Sequence, residues 1–236
     1  MKLSYGSIIF VLAIFAAVIV AGCTVTSPSG PAATTTPGGA TTTPAGTTTP
    51  SGGLTTLGSA IDFNKVKWYE YKMTMSGAGA EGMTSNMKEE FNVDYQGTNA
   101  DKMTETTEVK QGGSTMTTLI EIYSDHANAG KTLGGHMQTK MDGNVISDTP
   151  IQPSEGTSST VTSNNLLGTN SGAPLMSAGP DSVSVPGYTG AATKYTWTST
   201  GGGSGAVWVA PTVPVPVKMT GSAAGSTYMM ELVGWG

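Results

Sequence analysis

From about residue 61 onward, apolar and polar side chains alternate along the chain. In "WYEYKMTM", Tyr69, Tyr71, Met73 and Met75 fall on one side of a two-residue period, with Glu70, Lys72 and Thr74 opposite. In "EFNVDYQ", Phe91, Val93 and Tyr95 alternate with Glu90, Asn92 and Asp94. In "TVPVPVKM", Val213, Val215, Val217 and Met219 share one side. Successive strand side chains point to opposite faces, so this period predicts half-buried strands of an antiparallel sheet. Asp142-Gly143 reads as a two-residue hairpin turn between "HMQTKM" and "NVIS". "YQGTNAD", "KQGGST" and "STGGGSG" read as further hairpin connections. The expectation is mainly β: about ten antiparallel strands over residues 61–236. No amphipathic helix is expected beyond a turn or two in "LTTLGSAIDFNKV". Pro214 and Pro216 lack an N–H, which puts their strand at an edge or bulge. Residues 150–190, rich in Ser, Thr, Gly and Pro with a short Leu166-Leu167 island, read as one long loop.

The first sixty residues follow other patterns. Lys2 precedes an unbroken apolar run from Ile8 to Ala21, the layout of a secretory signal. An uncleaved membrane helix is the competing reading, but the run falls short of the ~20 apolar residues that span a bilayer. At its end stand Val20, Ala21, Gly22 and Cys23, which resemble the lipobox of prokaryotic lipoproteins. The resemblance implies that Cys23 takes a thioether-linked lipid and becomes the mature N-terminus, with residues 1–22 removed. Firm anchoring then needs at least two acyl chains. Cys23 is the sole cysteine, so an intrachain disulfide is impossible and the exported domain must be stable without one.

Residues 23–60 carry no charge and repeat the theme "TTTPGGA", "TTTPAG", "TTTPSGG". Such a segment buries too little to offset its ordering entropy, and its prolines favour extended backbone. It reads as a flexible tether, of which the thirty residues 24–53 alone could hold a domain up to about 90 Å from a membrane. Thr clustered with Pro also fits an O-glycosylated stalk. Asn-x-Ser/Thr occurs nowhere.

Charge narrows the partners. Eleven basic side chains, all Lys, stand against sixteen carboxylates, for a net charge of −5. Arginine makes the bidentate contacts to phosphates and bases, and it is absent, which excludes nucleic acid as a partner.

Candidate chemistry is sparse. "GKT" at 130–132 lacks the glycine a phosphate loop needs five residues earlier, where Asp125 stands. "GGGSG" at 201–205 reads as a hairpin loop. His126 and His136 with Asp125 lack the close-spaced repeat of a metal site. No serine or threonine sits in a nucleophile motif with a base beside it. Glu89 and Glu90, adjacent on a strand, point to opposite faces. The residues support neither an enzyme nor a cofactor. Twelve methionines follow the signal, Met73-x-Met75 and Met137/Met141 among them. Thioethers bind Cu(I). They are also flexible fillers of cores and of surfaces that accept varied apolar partners. With Met73 and Met75 beside Tyr69 and Tyr71, an apolar wall is the reading preferred.

"VSVPGYTGAATKYTW" (183–197), "AVWVAPTVPVPVKM" (206–219) and the closing "YMMELVGWG" resemble a broad set of prokaryotic exported β-proteins. The set includes archaeal cell-surface lipoproteins of unknown function and, more distantly, the lipoprotein-carrier folds. The resemblance implies a strongly curved antiparallel sheet, an open half-barrel with an apolar concave face. The carriers cover that face with helices, and no helix pattern is found here. The expectation is therefore a lipid-anchored extracytoplasmic protein whose β-domain binds an apolar ligand or a partner's segment without catalysis. Tyr69, Tyr71, Met73, Met75, Phe91, Val93, Tyr95 and Trp197 are the expected wall residues. A structural or adhesive envelope protein with a filled core is the alternative, and methionine-bound copper a lesser one.

Overall fold

Two-residue turns of left-handed backbone set the register of the sheet. In the computed structural model, which describes residues 61–77, 83–111, 113–155, 175–198, 203–223 and 225–236, Asp142 and Gly143 have φ of 50° and 82°. Gln96 and Gly97 have φ of 54° and 81°. Positive φ at both central positions is the turn that matches strand twist, and it joins two long hairpins. The N-terminal region through residue 60, with Cys23, its lipobox and the Thr/Pro tether, lies outside the described residues, as do Leu166-Leu167.

Twelve strands form one antiparallel sheet: β1 Trp68–Ser76, β2 Met83–Tyr95, β3 Thr98–Gln111, β4 Ser114–Asp125, β5 Asn128–Met141, β6 Asn144–Ile151, β7 Ser154–Glu155, β8 Met176–Val185, β9 Tyr188–Thr198, β10 Ser204–Val209, β11 Lys218–Ala223 and β12 Ser226–Trp235. The spatial order is β6-β5-β4-β3-β2-β1-β12-β11-β10-β9-β8, with the short β7 also on β5. The sheet is open, with β6 and β8 at its two edges. Its C-terminal half rolls up: β8 and β9 come back against β12, where the Gly187 N–H donates to the Leu232 carbonyl at 2.8 Å. The architecture is the expected mainly-β open half-barrel. Among the described residues the sole helical element is a 3-10 turn at Phe63–Lys65, capped by Asp62.

Three sequence expectations change. The strand count rises from ten to twelve, partly because Met176–Val185 is a strand inside the expected loop. Its Gly179 and Pro180 disguise it, and both are tolerated because it is an edge strand with a bulge between Ser177 and Gly179. The Val-Pro stretch keeps its period of burial but joins the ladder only at its end: Val213, Val215 and Val217 are buried, yet cross-strand bonds to Trp208 and Leu232 begin at Val217, just before β11 at Lys218. Its carbonyls serve other groups, with Pro214 accepting from the Asp62 N–H and Pro216 from the Tyr71 hydroxyl at 2.6 Å. Finally, a bulge between Glu90 and Val93, with Asn92 at φ 56°, turns Val93 and Tyr95 away from the face of Phe91. Phe91 stays beside Tyr69, with ring centroids 6.0 Å apart, whereas Tyr95 stacks on Tyr123 at 4.2 Å on the other face.

The core sits where the 61–66 segment and the Val-Pro stretch lie over β1, β12, β11 and β10. Leu232, Val215 and Val217 are fully buried there, as are the larger Tyr69 and Met230. Each buried aliphatic side chain of this size contributes about 1.5–3 kcal/mol.

Candidate functional site

Residues directly opposite in an antiparallel ladder share a face, so the register sorts every side chain. Starting from Tyr71, Met73 and Met75 on β1, one face collects Met83 and Met87 on β2, Met103 on β3, Met116 on β4, and Met137 and Met141 on β5. In the other direction it collects Met230 on β12 and Met219 on β11. Of the methionines after the signal, only Met176 and Met229 pair with residues of the opposite face.

This methionine face has two halves. On β1, β12, β11 and β10 it is filled: Tyr69, Tyr71, Met219, Met230 and Leu232 are buried in the core. Thioethers there act as packing. On β3 to β6 its apolar residues are only half-buried: Met103, Val109, Met116, Ile120, Ile122, Met137, Met141 and Ile151. Of these, Met103 alone packs against the buried core. Cross-strand rows organise this open half. Met75, Met83, Val109, Met116 and Met141 form one apolar row. Next to it runs a hydroxyl row of Ser85, Thr107, Thr118, Thr139 and Ser147. Beyond it, Ile120 and Met137, then Met103 and Ile122, make a second apolar band.

Carboxylates interrupt that band. Glu105 accepts from Ser85 at 2.9 Å and Thr107 at 3.2 Å. Glu89, opposite both Tyr69 and Met103, accepts a short hydrogen bond from the Tyr69 hydroxyl. Burial pushes the Glu89 carboxyl up to about 7; the Tyr69 hydroxyl opposes the shift and the charge of Asp101 adds to it. Asp101 also faces His126 at 2.7 Å. Sequence reading paired Glu89 only with Glu90. The Glu89–Asp101 approach depends on the register across the β2–β3 hairpin, and no local signal announces it.

The opposite face is polar and carries both charges, with Glu70, Glu90, Glu108, Glu121 and Glu231 among its lysines. It carries Lys72, Lys88, Lys102, Lys110, Lys140, Lys194 and Lys218 by register. Lys102 pairs with Glu121 at 2.6 Å, which together with the nearby Tyr123 holds the lysine pKa above its ordinary value. His136 bonds Asp148 there and lowers its pKa. The two histidines thus serve separate carboxylates. Among the described residues no three His, Cys, Asp or Glu side chains are arranged to hold a metal. A cleft of roughly 440 Å³ opens at the strand ends between Thr74, Ser76, Ser204, Thr220, Ser222 and Thr227, with Tyr228 and Met229 also in its wall, so hydroxyls and apolar groups share its lining.

The expected wall residues therefore divide. Tyr69 and Tyr71 are core, Met73, Phe91 and Trp197 pack against it half-buried, and Met75 is half-buried at the head of the open methionine row. Val93 and Tyr95 lie on the other face. Trp197 covers Gly205, where any Cβ would meet the indole at 2.6 Å. Sequence reading missed the wing residues Met116, Ile120, Ile122 and Val109 as a surface. Each strand's alternation contained them, but only the register joins them.

No family model matches the chain, and no curated protein does. Among solved structures it is similar to a β-barrel-like protein of the domain of unknown function DUF1849 from Brucella abortus, with 11% identity over 71% of this chain and 95% of that one and a TM-score of 0.35. It is also similar to a putative exported protein with a YmcC-like fold from Bacteroides fragilis, with 10% identity over 73% of this chain and 96% of that one and a TM-score of 0.29. At such TM-scores the functional reading rests on the residues of this chain.

Proposed function

We propose that this is a lipid-anchored extracytoplasmic protein whose open methionine face binds an apolar ligand or the apolar segment of an envelope partner, without catalysis. The observation that carries the reading is the alignment of methionines from five consecutive strands on one face, half-exposed over β3 to β5. Unbranched, polarisable thioethers conform to varied apolar shapes at little strain. The binding surface is the open wing rather than an enclosed cavity around Tyr69 and Tyr71, because that region is filled by its own side chains. The same filled core favours a second reading, a structural envelope protein with no ligand.

Anchoring is carried by the lipobox-like Val20-Ala21-Gly22-Cys23 after the apolar run. Cys23→Ser is expected to move the chain from the membrane fraction to the soluble fraction. Retention of the variant in the membrane would make residues 8–22 an anchor helix instead. Occupancy of the methionine face in its native setting is read from methionine oxidation, since a covered thioether oxidises slowly.

A further inference from the structure

The methionine face is as one-sided in charge as in hydropathy. It carries Glu89, Asp101 and Glu105, with Asp94 beyond them near the β2–β3 turn. The strand lysines placed by register lie on the other face. Asp101 is hydrogen-bonded to the His126 ring and accepts from the Asn92 N–H, and Glu105 is held by neutral hydroxyls. We propose that the open methionine face docks a basic amphipathic helix, its apolar side on the methionine and isoleucine rows and its lysines or arginines on Glu105 and Asp101. This rests on the reading that the face binds apolar partners at all, and it names their class.

Dimensions and charge select this occupant. Strands lie about 4.8 Å apart, so β2 to β6 span roughly 20 Å. A helix with its side chains is about 10–12 Å wide, which leaves the carboxylates within reach of basic side chains along its flank. A single alkyl chain gains most from an enclosed slot, which the open wing does not offer. An anionic membrane surface is repelled by these carboxylates. A second copy of the chain, face to face, sets like charges together. A basic helix satisfies both the apolar rows and the acidic band, as complementary potentials at an interface require.

The test uses the full chain in phosphatidylcholine nanodiscs, with carbon-13-labelled methionine methyls followed by NMR. Three 18-residue peptides share one leucine face and carry Lys, Gln or Glu on the other. The expected result is that the Lys peptide shifts the methyls of Met116, Met137 and Met141 at a concentration about tenfold or more below the Gln peptide, with no response to the Glu peptide. Asp101→Asn with Glu105→Gln is expected to remove the preference for Lys. Equal binding of all three peptides overturns the charge selection while leaving the apolar face intact. Failure of all three overturns both, and methyl shifts that follow protein concentration alone would assign the face to a second copy.

Discussion

Glu89→Gln is expected to make the protein more stable at pH 8, by about 2–3 kcal/mol, and to leave it unchanged near pH 4. Glu89 sits between Tyr69 and Met103 with Asp101 nearby, and burial raises its carboxyl to about 7 in the folded protein. In the unfolded chain it titrates at its ordinary value, near 4.5. The folded state therefore holds the proton more tightly. Its stabilising effect is complete below about pH 4.5 and is lost as pH rises to 7. Above that, the folded chain keeps a poorly hydrated carboxylate that the unfolded chain does not. Glutamine keeps an oxygen to accept from the Tyr69 hydroxyl and carries no charge. Denaturant unfolding of both proteins from pH 4 to 8 reads the difference directly. A difference flat across that range would mean that Glu89 ionises normally and is better hydrated than its setting implies.

The second large effect separates the halves of the methionine face. Leu232→Ala is expected to cost about 3–4 kcal/mol, the range for an aliphatic side chain removed from a rigid core. Leu232 is fully buried, and its neighbours are fixed from both sides: its N–H donates to the Val217 carbonyl at 3.0 Å and its carbonyl accepts from Gly187. The surroundings cannot collapse into the space left behind. Met137→Ala is expected to cost under about 1 kcal/mol, because Met137 is half-buried and outside the core cluster. Equal costs at the two sites would mean that the wing is packed as tightly as the centre, which favours the structural reading.

Much of the fold was legible because period-2 alternation is local. Tyr69 to Met75 read as one strand face and are one, and Asp142-Gly143 formed the turn its residue types demand. What stayed hidden was set by contacts distant in sequence. Asn92 takes a left-handed conformation, with its N–H donating to Asp101 at 3.2 Å and its side chain accepting from Asn99 at 3.1 Å, so the flip of Val93 and Tyr95 depends on β3. Val213 to Pro216 keep strand-like burial without ladder bonds because Pro214 and Pro216 lack an N–H and their carbonyls are taken up by Asp62 and Tyr71, and cross-strand bonding resumes at Val217. The site was half legible for the same reason. Each strand displayed its methionines, but their union on one face required the register of seven strands, and the absence of strand lysines from that face followed only from the same register.

The most direct measurement is oxidation of individual methionines by dilute peroxide, in native membranes and in the purified full chain in nanodiscs, read by peptide mass spectrometry. Met219 and Met230, deep in the core, should oxidise slowly in both settings. Met116, Met137 and Met141 should oxidise quickly in the purified chain and several-fold more slowly in the native membrane, where a partner covers them. Equal, fast oxidation of these three in both settings would show an uncovered face and contradict the binding role.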